Sequence, residues 1–167
     1  HGDMDLSIID ELPKNRIPIT TKKVKENRLE KIYSFMLKEV KAGRQCIIVY
    51  PLIEETEKSD LSAAVDMYES LKKHVFKEIN LGLIHGRLEK DLKDKIMSDF
   101  SKNKINIIIS TTVIEVGIDV PNATVMLIEH AERFGLTQLH QLRGRVGRGS
   151  EKSYCILVQR NFSENSN

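Results

Sequence analysis

The chain has 167 residues, 40% of them hydrophobic, so a single domain with a core of ordinary size is expected. The 26 Lys and Arg residues against 24 Asp and Glu leave a net charge of only +2, so any nucleic-acid site must be a local feature. There is no secretory signal and no apolar run near the roughly 18 residues that span a bilayer, which predicts a soluble cytosolic protein without membrane contact.

Short apolar runs alternate with amphipathic segments along the chain. The pattern predicts a helix over about 25–42, a strand at 46–50, a helix over about 61–71, a strand at 81–84, a helix at 88–100, strands at 105–109 and 125–128, a short helix at 137–142 and a strand at 154–158. Such strands are typical of a mostly parallel sheet with helices on both faces, so the predicted fold class is α/β. Ligands are then expected beyond the carboxyl ends of the strands.

Each of the two cysteines lies in a predicted strand. Cys46 begins the run Cys-Ile-Ile-Val, and Cys155 lies within Tyr-Cys-Ile-Leu-Val. A thiol in such a run behaves as a small buried hydrophobic group, so we interpret both cysteines as structural.

An arginine-rich segment follows the short helix. Residues 138–149 read Gln-Leu-His-Gln-Leu-Arg-Gly-Arg-Val-Gly-Arg-Gly, and the stretch from Arg133 to Ser150 has four arginines and no carboxylate. The glycines allow a ligand to approach the backbone closely, and Arg145 and Arg148 can direct two bidentate guanidinium groups at one phosphate group. A solvated basic turn would not need this spacing, so the segment indicates phosphate chemistry.

A second segment, Ser-Thr-Thr-Val-Ile-Glu-Val-Gly-Ile-Asp-Val-Pro at 110–121, directly follows the Ile-rich predicted strand. Its hydroxyls and backbone amides can contact a nucleic-acid phosphate, and its Gly-x-Asp can bring a carboxylate to a ribose hydroxyl. Alone, Ser-Thr-Thr after a strand is often only a cap and turn. Its position about 30 residues before the arginines favours a functional role.

The two segments resemble motifs V and VI of superfamily 2 helicases, which implies a RecA-like domain. In that family, motif VI supplies arginine fingers to an ATP bound by another RecA-like domain, and motif V contacts both nucleic acid and nucleotide. Carried over, the resemblance implies Arg145 and Arg148 as catalytic arginine fingers, Gly117, Asp119 and Gln141 as nucleotide-binding residues, and Thr111 and Thr112 as nucleic-acid contacts.

Leu-Ile-His-Gly at 83–86 is similar to the His-Gly that follows the next strand in many of these motors. We therefore expect His85 and Gly86 to contact nucleic acid. No partner carboxylate or metal-ligand spacing supports His85 as a catalytic base. The family often has Arg where this chain has Lys93, so a bidentate role is not expected there.

The chain lacks the phosphate-binding loop of a complete ATPase. The one Gly-x4-Gly, at 144–149, is followed by Ser-Glu instead of Lys-Ser/Thr. The Asp-Glu at 10–11 imitates a Mg²⁺-positioning motif, but no phosphate-binding loop precedes it, and no metal site is expected. We predict that a first RecA-like domain outside this chain holds ATP and Mg²⁺, and that the chain alone binds no cofactor and is inactive.

Among superfamily 2 motors, the chain most resembles the RecG family, from about residue 2 to residue 158. The resemblance is carried by Asp5–Pro13, Val49–Glu55 and Glu115–Gly149. It implies an ATP-dependent translocase on double-stranded DNA that remodels stalled replication forks and Holliday junctions in recombination and repair. This domain would supply the arginine fingers and part of the DNA track.

The same resemblance divides the chain into parts. Residues 1–24 would be an inter-domain segment after the first RecA-like domain, 25–160 the helicase C-terminal RecA-like domain, and 161–167 a frayed tail. The implied partners are branched or double-stranded DNA and the first RecA-like and wedge domains of the same polypeptide. A monomer in the bacterial cytoplasm, associated with the nucleoid, is expected.

Three alternatives compete with this interpretation. The Mfd translocases share almost all of 112–147, but they usually have Tyr at the position of His140 and lack the Tyr-Pro-Leu-Ile-Glu-Glu at 50–55. A non-catalytic RecA-like module would be expected to have lost Arg145 or Arg148, and both are present. A Rossmann dinucleotide-binding domain needs Gly-x-Gly-x-x-Gly after its first strand, where this chain has Pro-Leu-Ile-Glu-Glu.

Overall fold

A parallel β-sheet forms the centre of the molecule. The computed structural model describes residues 19–52, 58–111, 120–146 and 151–160. The strands within these ranges are β1 (Ile19–Lys25), β2 (Gln45–Val49), β3 (Leu81–Ile84), β4 (Ile107–Ser110), β5 (Ala123–Ile128) and β6 (Ser153–Gln159). They form one sheet in the order β1-β6-β5-β2-β4-β3, and every pair is parallel.

Helices cover both faces of the sheet. They are α1 (Leu29–Lys41), α2 (Lys58–Ser70), which continues into a π-helical turn at Leu71–Val75, α3 (Lys90–Ser101) and α4 (Leu136–Arg143). Residues of α1 and the π-helical turn pack in one core cluster, and residues of α3 and α4 pack in the other. The predicted α/β class, with a parallel sheet and helices on both of its faces, is therefore confirmed. Among the described helices, none is long and apolar enough to cross a membrane.

The central strands are buried on both faces. Alternate residues of β2 belong to different clusters, with Ile47 and Val49 in one and Cys46 and Ile48 in the other. All four are at most 3% exposed, as expected for a strand between two helical layers. Burial raises the pKa of the Cys46 thiol, and it raises that of Cys155 to about 12. The structural interpretation of both cysteines is confirmed.

The sheet has one strand that the sequence pattern did not predict. Strand β1 pairs with β6 over its whole length, from Ile19 opposite Ser153 to Lys25 opposite Gln159. By resemblance, residues 1–24 are expected to form an inter-domain segment, and Ile19 and Val24 are the only large apolar side chains of β1. A strand at the edge of a sheet buries less of its surface, so its hydrophobic pattern is weak.

The carboxyl ends of the strands lie along one edge of the sheet because all the strands are parallel. Backbone bonds hold the first residues beyond them in register. Tyr50 donates to the Ser110 carbonyl (2.8 Å), Thr111 to the Ile84 carbonyl (3.1 Å), and Glu129 to the Val49 carbonyl (2.8 Å). The segments that follow β2, β3, β4 and β5 therefore all start at this carboxyl edge.

Candidate functional site

Thr111 and His85 lie side by side at the carboxyl edge. The backbone bond from Thr111 to the carbonyl of Ile84 fixes the start of the motif V segment next to the Leu-Ile-His-Gly turn. Thr111 is 5% exposed, and its hydroxyl has no hydrogen-bond partner in the described part of the chain. The Thr111 hydroxyl can therefore bind a ligand that displaces the groups that bury it.

The turn after β3 orients the His85 side chain. Its Nδ1 accepts a bond from the backbone N–H of Arg87 (3.2 Å), and its carbonyl accepts one from Leu88 (3.3 Å). A neutral ring that accepts at Nδ1 carries its proton at Nε2, so this nitrogen can donate to an anion. Gly86 is exposed, so its backbone lies at the surface.

The arginine-rich segment is anchored by its apolar neighbours. Leu142 is 1% exposed and Val146 is 0% exposed, and both pack in the core on the α3–α4 face of the sheet. The N–H of Arg145 donates to the carbonyl of Leu142 (3.0 Å), which extends the end of α4 by a turn. Gln141 is exposed and Arg145 is half-buried. The backbone on either side of Arg145 is thus fixed by packing.

Arg143 is a buried anchor that the sequence did not reveal. It is 2% exposed, and its Nε donates to the hydroxyl of Thr21 in β1 at 2.7 Å. A local pattern of charged residues predicts a solvated side chain. Only the pairing of β1 with β6 brings the Thr21 hydroxyl within reach of this guanidinium.

Gly144 needs no special backbone conformation. Its φ of -69° and ψ of -7° are helical. An added Cβ would lie 3.5 Å from the carbonyl oxygen of Gln141 and 3.7 Å from that of His140, which are ordinary contacts. Nothing in the described part of the chain therefore requires glycine here. Close approach by a ligand or another domain is the remaining physical reason for it.

The arginine-rich segment reaches from beyond the carboxyl end of β5 to the edge strand β1. Helix α4 begins beyond the carboxyl end of β5 and runs back, so that Arg143 meets Thr21 in the amino-terminal half of β1. Val120, just before β5, is 4% exposed and belongs to the same cluster as Val146. Thr112, Gly117, Asp119 and Arg148 lie outside the described residues. No cluster of three or more His, Cys, Asp or Glu that could hold a metal occurs among the described side chains.

A partly buried ion-pair network, which no sequence pattern indicates, lies at the carboxyl ends of β5 and β6. Glu129 is 0% exposed, and its Oε1 accepts a bond from Nη2 of Arg160 at 2.7 Å. Nη1 of Arg160 also donates to the Glu26 carboxylate, next to β1. Burial raises the pKa of Glu129, and Arg160 opposes that rise. The network joins the ends of three strands.

A cavity of about 390 Å³ adjoins this network. It lies where the chain order changes direction between β2 and β5, a position at which α/β sheets commonly bind ligands. The rings of Tyr50 and His130 line it and meet edge to face, with centroids 5.4 Å apart. His130 adopts a left-handed backbone conformation, with φ 49° and ψ 49°, which is uncommon for a residue other than glycine.

Comparison with known proteins assigns the chain to a family. The model of the helicase conserved C-terminal domain matches residues 24–150. The chain belongs to this family. The helicase C-terminal domain therefore covers both the carboxyl-edge residues and the arginine-rich segment, and it begins within β1.

The relatives of this helicase domain include RecG proteins. The chain is 54% identical to the ATP-dependent DNA helicase RecG of Thermotoga maritima over 95% of its own length and 20% of the relative. The RecG of Bacillus subtilis is 53% identical, over 94% of this chain and 23% of the relative. The chain thus spans about a fifth of the length of these proteins. The resemblance to RecG is confirmed.

Solved structures agree with this assignment. A structure of RecG bound to a three-way DNA junction superposes with a TM-score of 0.76 at 50% identity, over 94% of this chain and 20% of that one. Yeast Dbp5 L327V bound to RNA and ADP BeF3 superposes with a TM-score of 0.59 at 19% identity, over 93% of this chain and 40% of that one. The second likeness supports only the shared fold.

Proposed function

We propose that the chain is the second motor domain of an ATP-dependent double-stranded DNA translocase that remodels stalled replication forks and Holliday junctions. The observation that carries this proposal is the identity of about half the residues with RecG proteins over nearly the whole chain. One of the similar structures is bound to a three-way DNA junction, which supports branched DNA as the substrate class.

In this proposal, Arg145 and Arg148 act as arginine fingers on an ATP bound by the first RecA-like domain of the same polypeptide. Two guanidinium groups placed at the γ-phosphate stabilise the charge that develops there during transfer. Gln141, Gly117 and Asp119 contact the nucleotide from the same side. The buried neighbours Leu142 and Val146 support this role, because they fix the backbone around Arg145.

Nucleic acid binds at the carboxyl edge, at Thr111, Thr112, His85 and Gly86. The unsatisfied Thr111 hydroxyl and the exposed Gly86 support this assignment. Contacts of this type reach phosphates rather than base edges, so binding is insensitive to sequence and weakens steeply with salt.

The remaining parts of the motor lie in the rest of the polypeptide. The first RecA-like domain holds ATP and Mg²⁺, and a wedge domain engages branched DNA. Residues before β1 form the connection to the first RecA-like domain. The complete protein acts as a monomer on the bacterial nucleoid.

The domain by itself should not hydrolyse ATP. The purified 167-residue chain is expected to show no turnover above background, with or without DNA, because it contains no phosphate-binding loop. The measurement is phosphate release by the chain and by the full-length protein, with circular dichroism to establish that the chain is folded. Turnover by the folded chain would refute the half-motor proposal.

Substitution of Gly144 with Ala should separate folding from ligand binding. The free energy of unfolding should change by less than about 1 kcal/mol, because alanine is favourable in a helical conformation. In the full-length protein, an added methyl group at a close phosphate contact should weaken ATP binding roughly tenfold or more. Thermal unfolding and nucleotide titration measure the two effects. Unchanged ATP affinity would mean that no ligand approaches this glycine.

A further inference from the structure

A basic groove lies between β1, the edge strand of the described sheet, and the first turn of α1. The groove has a volume of about 620 Å³. Its lining includes five exposed cations, Lys22, Lys23, Lys25, Arg28 and Lys31, and no acidic residue. Within the described part of the chain, none of the five forms a salt bridge. With a net charge of only +2 for the whole protein, this is a strong local concentration of charge.

Two exposed lysines elsewhere on the surface are paired with carboxylates. Lys90 lies 2.8 Å from the carboxylate of Asp94, and Lys95 lies 3.2 Å from that of Asp99. Among the described residues the groove cations have no such partners, so counterions or an anionic ligand would relieve their mutual repulsion.

The cations approach the groove from both sides of the strand. Lys22 lies on the face of β1 that carries Val24 and packs toward α1, while Lys23 and Lys25 lie on the opposite face. A strand rises about 3.3 Å per residue, so the charges of β1 extend over roughly 10 Å. Duplex DNA carries one charge per roughly 1.7 Å of axis, so this length of strand faces several phosphates.

We propose that this groove binds the phosphodiester backbone of duplex DNA, as a second DNA contact separate from the carboxyl edge. The choice of DNA as the polyanion rests on the proposed function. An acidic peptide could instead add a strand to the free edge of β1, but that mode draws its specificity from pockets for alternate side chains. The apolar lining residues here, Val24 and Ile32, are partly buried against the core and form no such pockets.

The test compares two triple variants of the full-length protein. Lys22→Gln, Lys25→Gln and Lys31→Gln together remove three groove charges. Lys77→Gln, Lys102→Gln and Lys104→Gln together remove three exposed charges from the turns that lead into β3 and β4, and serve as the matched control. The dissociation constant for duplex DNA is measured between 50 and 200 mM salt.

The groove variant should bind more weakly and depend less on salt. Each lost phosphate contact lowers the slope of log affinity against log salt by about 0.9. Loss of three contacts should therefore make the decrease in affinity between 50 and 200 mM salt roughly 40-fold smaller for the groove variant than for the unsubstituted protein. The control variant should match the unsubstituted protein. Equal affinity and slope in all three proteins would overturn the proposal.

Two further readouts separate this proposal from the function on which it rests. DNA-stimulated ATP hydrolysis at saturating DNA should be retained by the groove variant, since none of its three substituted lysines belongs to the arginine-rich segment. If the unsubstituted protein showed no DNA-stimulated hydrolysis, the proposed function would be wrong. The comparison of dissociation constants for duplex DNA would still show whether the groove binds DNA. If the groove variant lost affinity for polyglutamate but kept its affinity for DNA, the partner would be an acidic chain and the proposal would be overturned.

Discussion

Replacement of Arg145 or Arg148 with Ala in the full-length protein should lower DNA-stimulated ATP hydrolysis by a factor of about 10³ or more, while nucleotide binding is kept. The reason is that an arginine finger stabilises charge that appears only in the transition state. Its loss therefore reduces kcat much more than it weakens the binding of ground-state ATP. Steady-state turnover and a separate titration with a non-hydrolysable ATP analogue measure the two quantities.

Two additional variants make this test specific. Arg145→Lys keeps the positive charge but loses the planar, bidentate guanidinium, so turnover should stay well below that of the unsubstituted protein. Lys102→Ala removes an exposed charge that does not belong to the arginine-rich segment and should leave turnover unchanged. If both alanine variants hydrolysed ATP normally, the arginines would serve DNA binding or folding. A non-catalytic RecA-like module would then be the better explanation.

Replacement of Arg160 with Met should destabilise the domain by about 3–5 kcal/mol, the range observed when one partner of a buried ion pair is removed. Glu129 is fully buried, and its Oε2 already lacks a hydrogen-bond partner in the described part of the chain. Without the 2.7 Å bond from Arg160, the carboxylate would have no charge partner in the network. Denaturant unfolding monitored by circular dichroism measures the loss.

The same variant should have a distinctive pH dependence. Burial already raises the pKa of Glu129 in the presence of Arg160, and removal of the guanidinium should raise it further. The folded state then binds a proton at a pH where the unfolded state does not. The stability of Arg160→Met should therefore increase as the pH falls from neutral toward the ordinary carboxyl range.

Rescue and a matched control complete the experiment. Glu129→Gln in the Arg160→Met background removes the buried charge and should recover most of the lost stability. Arg44→Met breaks a comparable pair with Glu39, but Glu39 keeps a 2.7 Å bond from Thr124, so a smaller loss is expected. Arg44 lowers the pKa of Glu39, so the stability from that pair is lost as the pH falls, the opposite of the trend for Arg160→Met. Equal losses in the two variants, or no rescue, would contradict the proposed cause.

Most of the fold could be predicted from the sequence because the central strands are apolar throughout. Runs such as Ile107–Ser110 and Ala123–Ile128 are buried on both faces, and their composition alone indicates a parallel sheet. The edge strand β1 was missed because Lys22, Lys23 and Lys25 are solvated and leave almost no hydrophobic pattern.

The features of the candidate site also fall into those that the sequence reveals and those that only the tertiary structure reveals. The sequence by itself determined the arginine-rich segment, the Ser-Thr-Thr turn and the lack of a phosphate-binding loop, because each depends on residues that are close together along the chain. Only the tertiary structure decided that Arg143 is buried against Thr21, 122 residues away, and that Arg160 binds Glu129, 31 residues away. Local patterns report how a segment meets solvent. They carry no information on which distant side chain will lie opposite a charge once the sheet has formed.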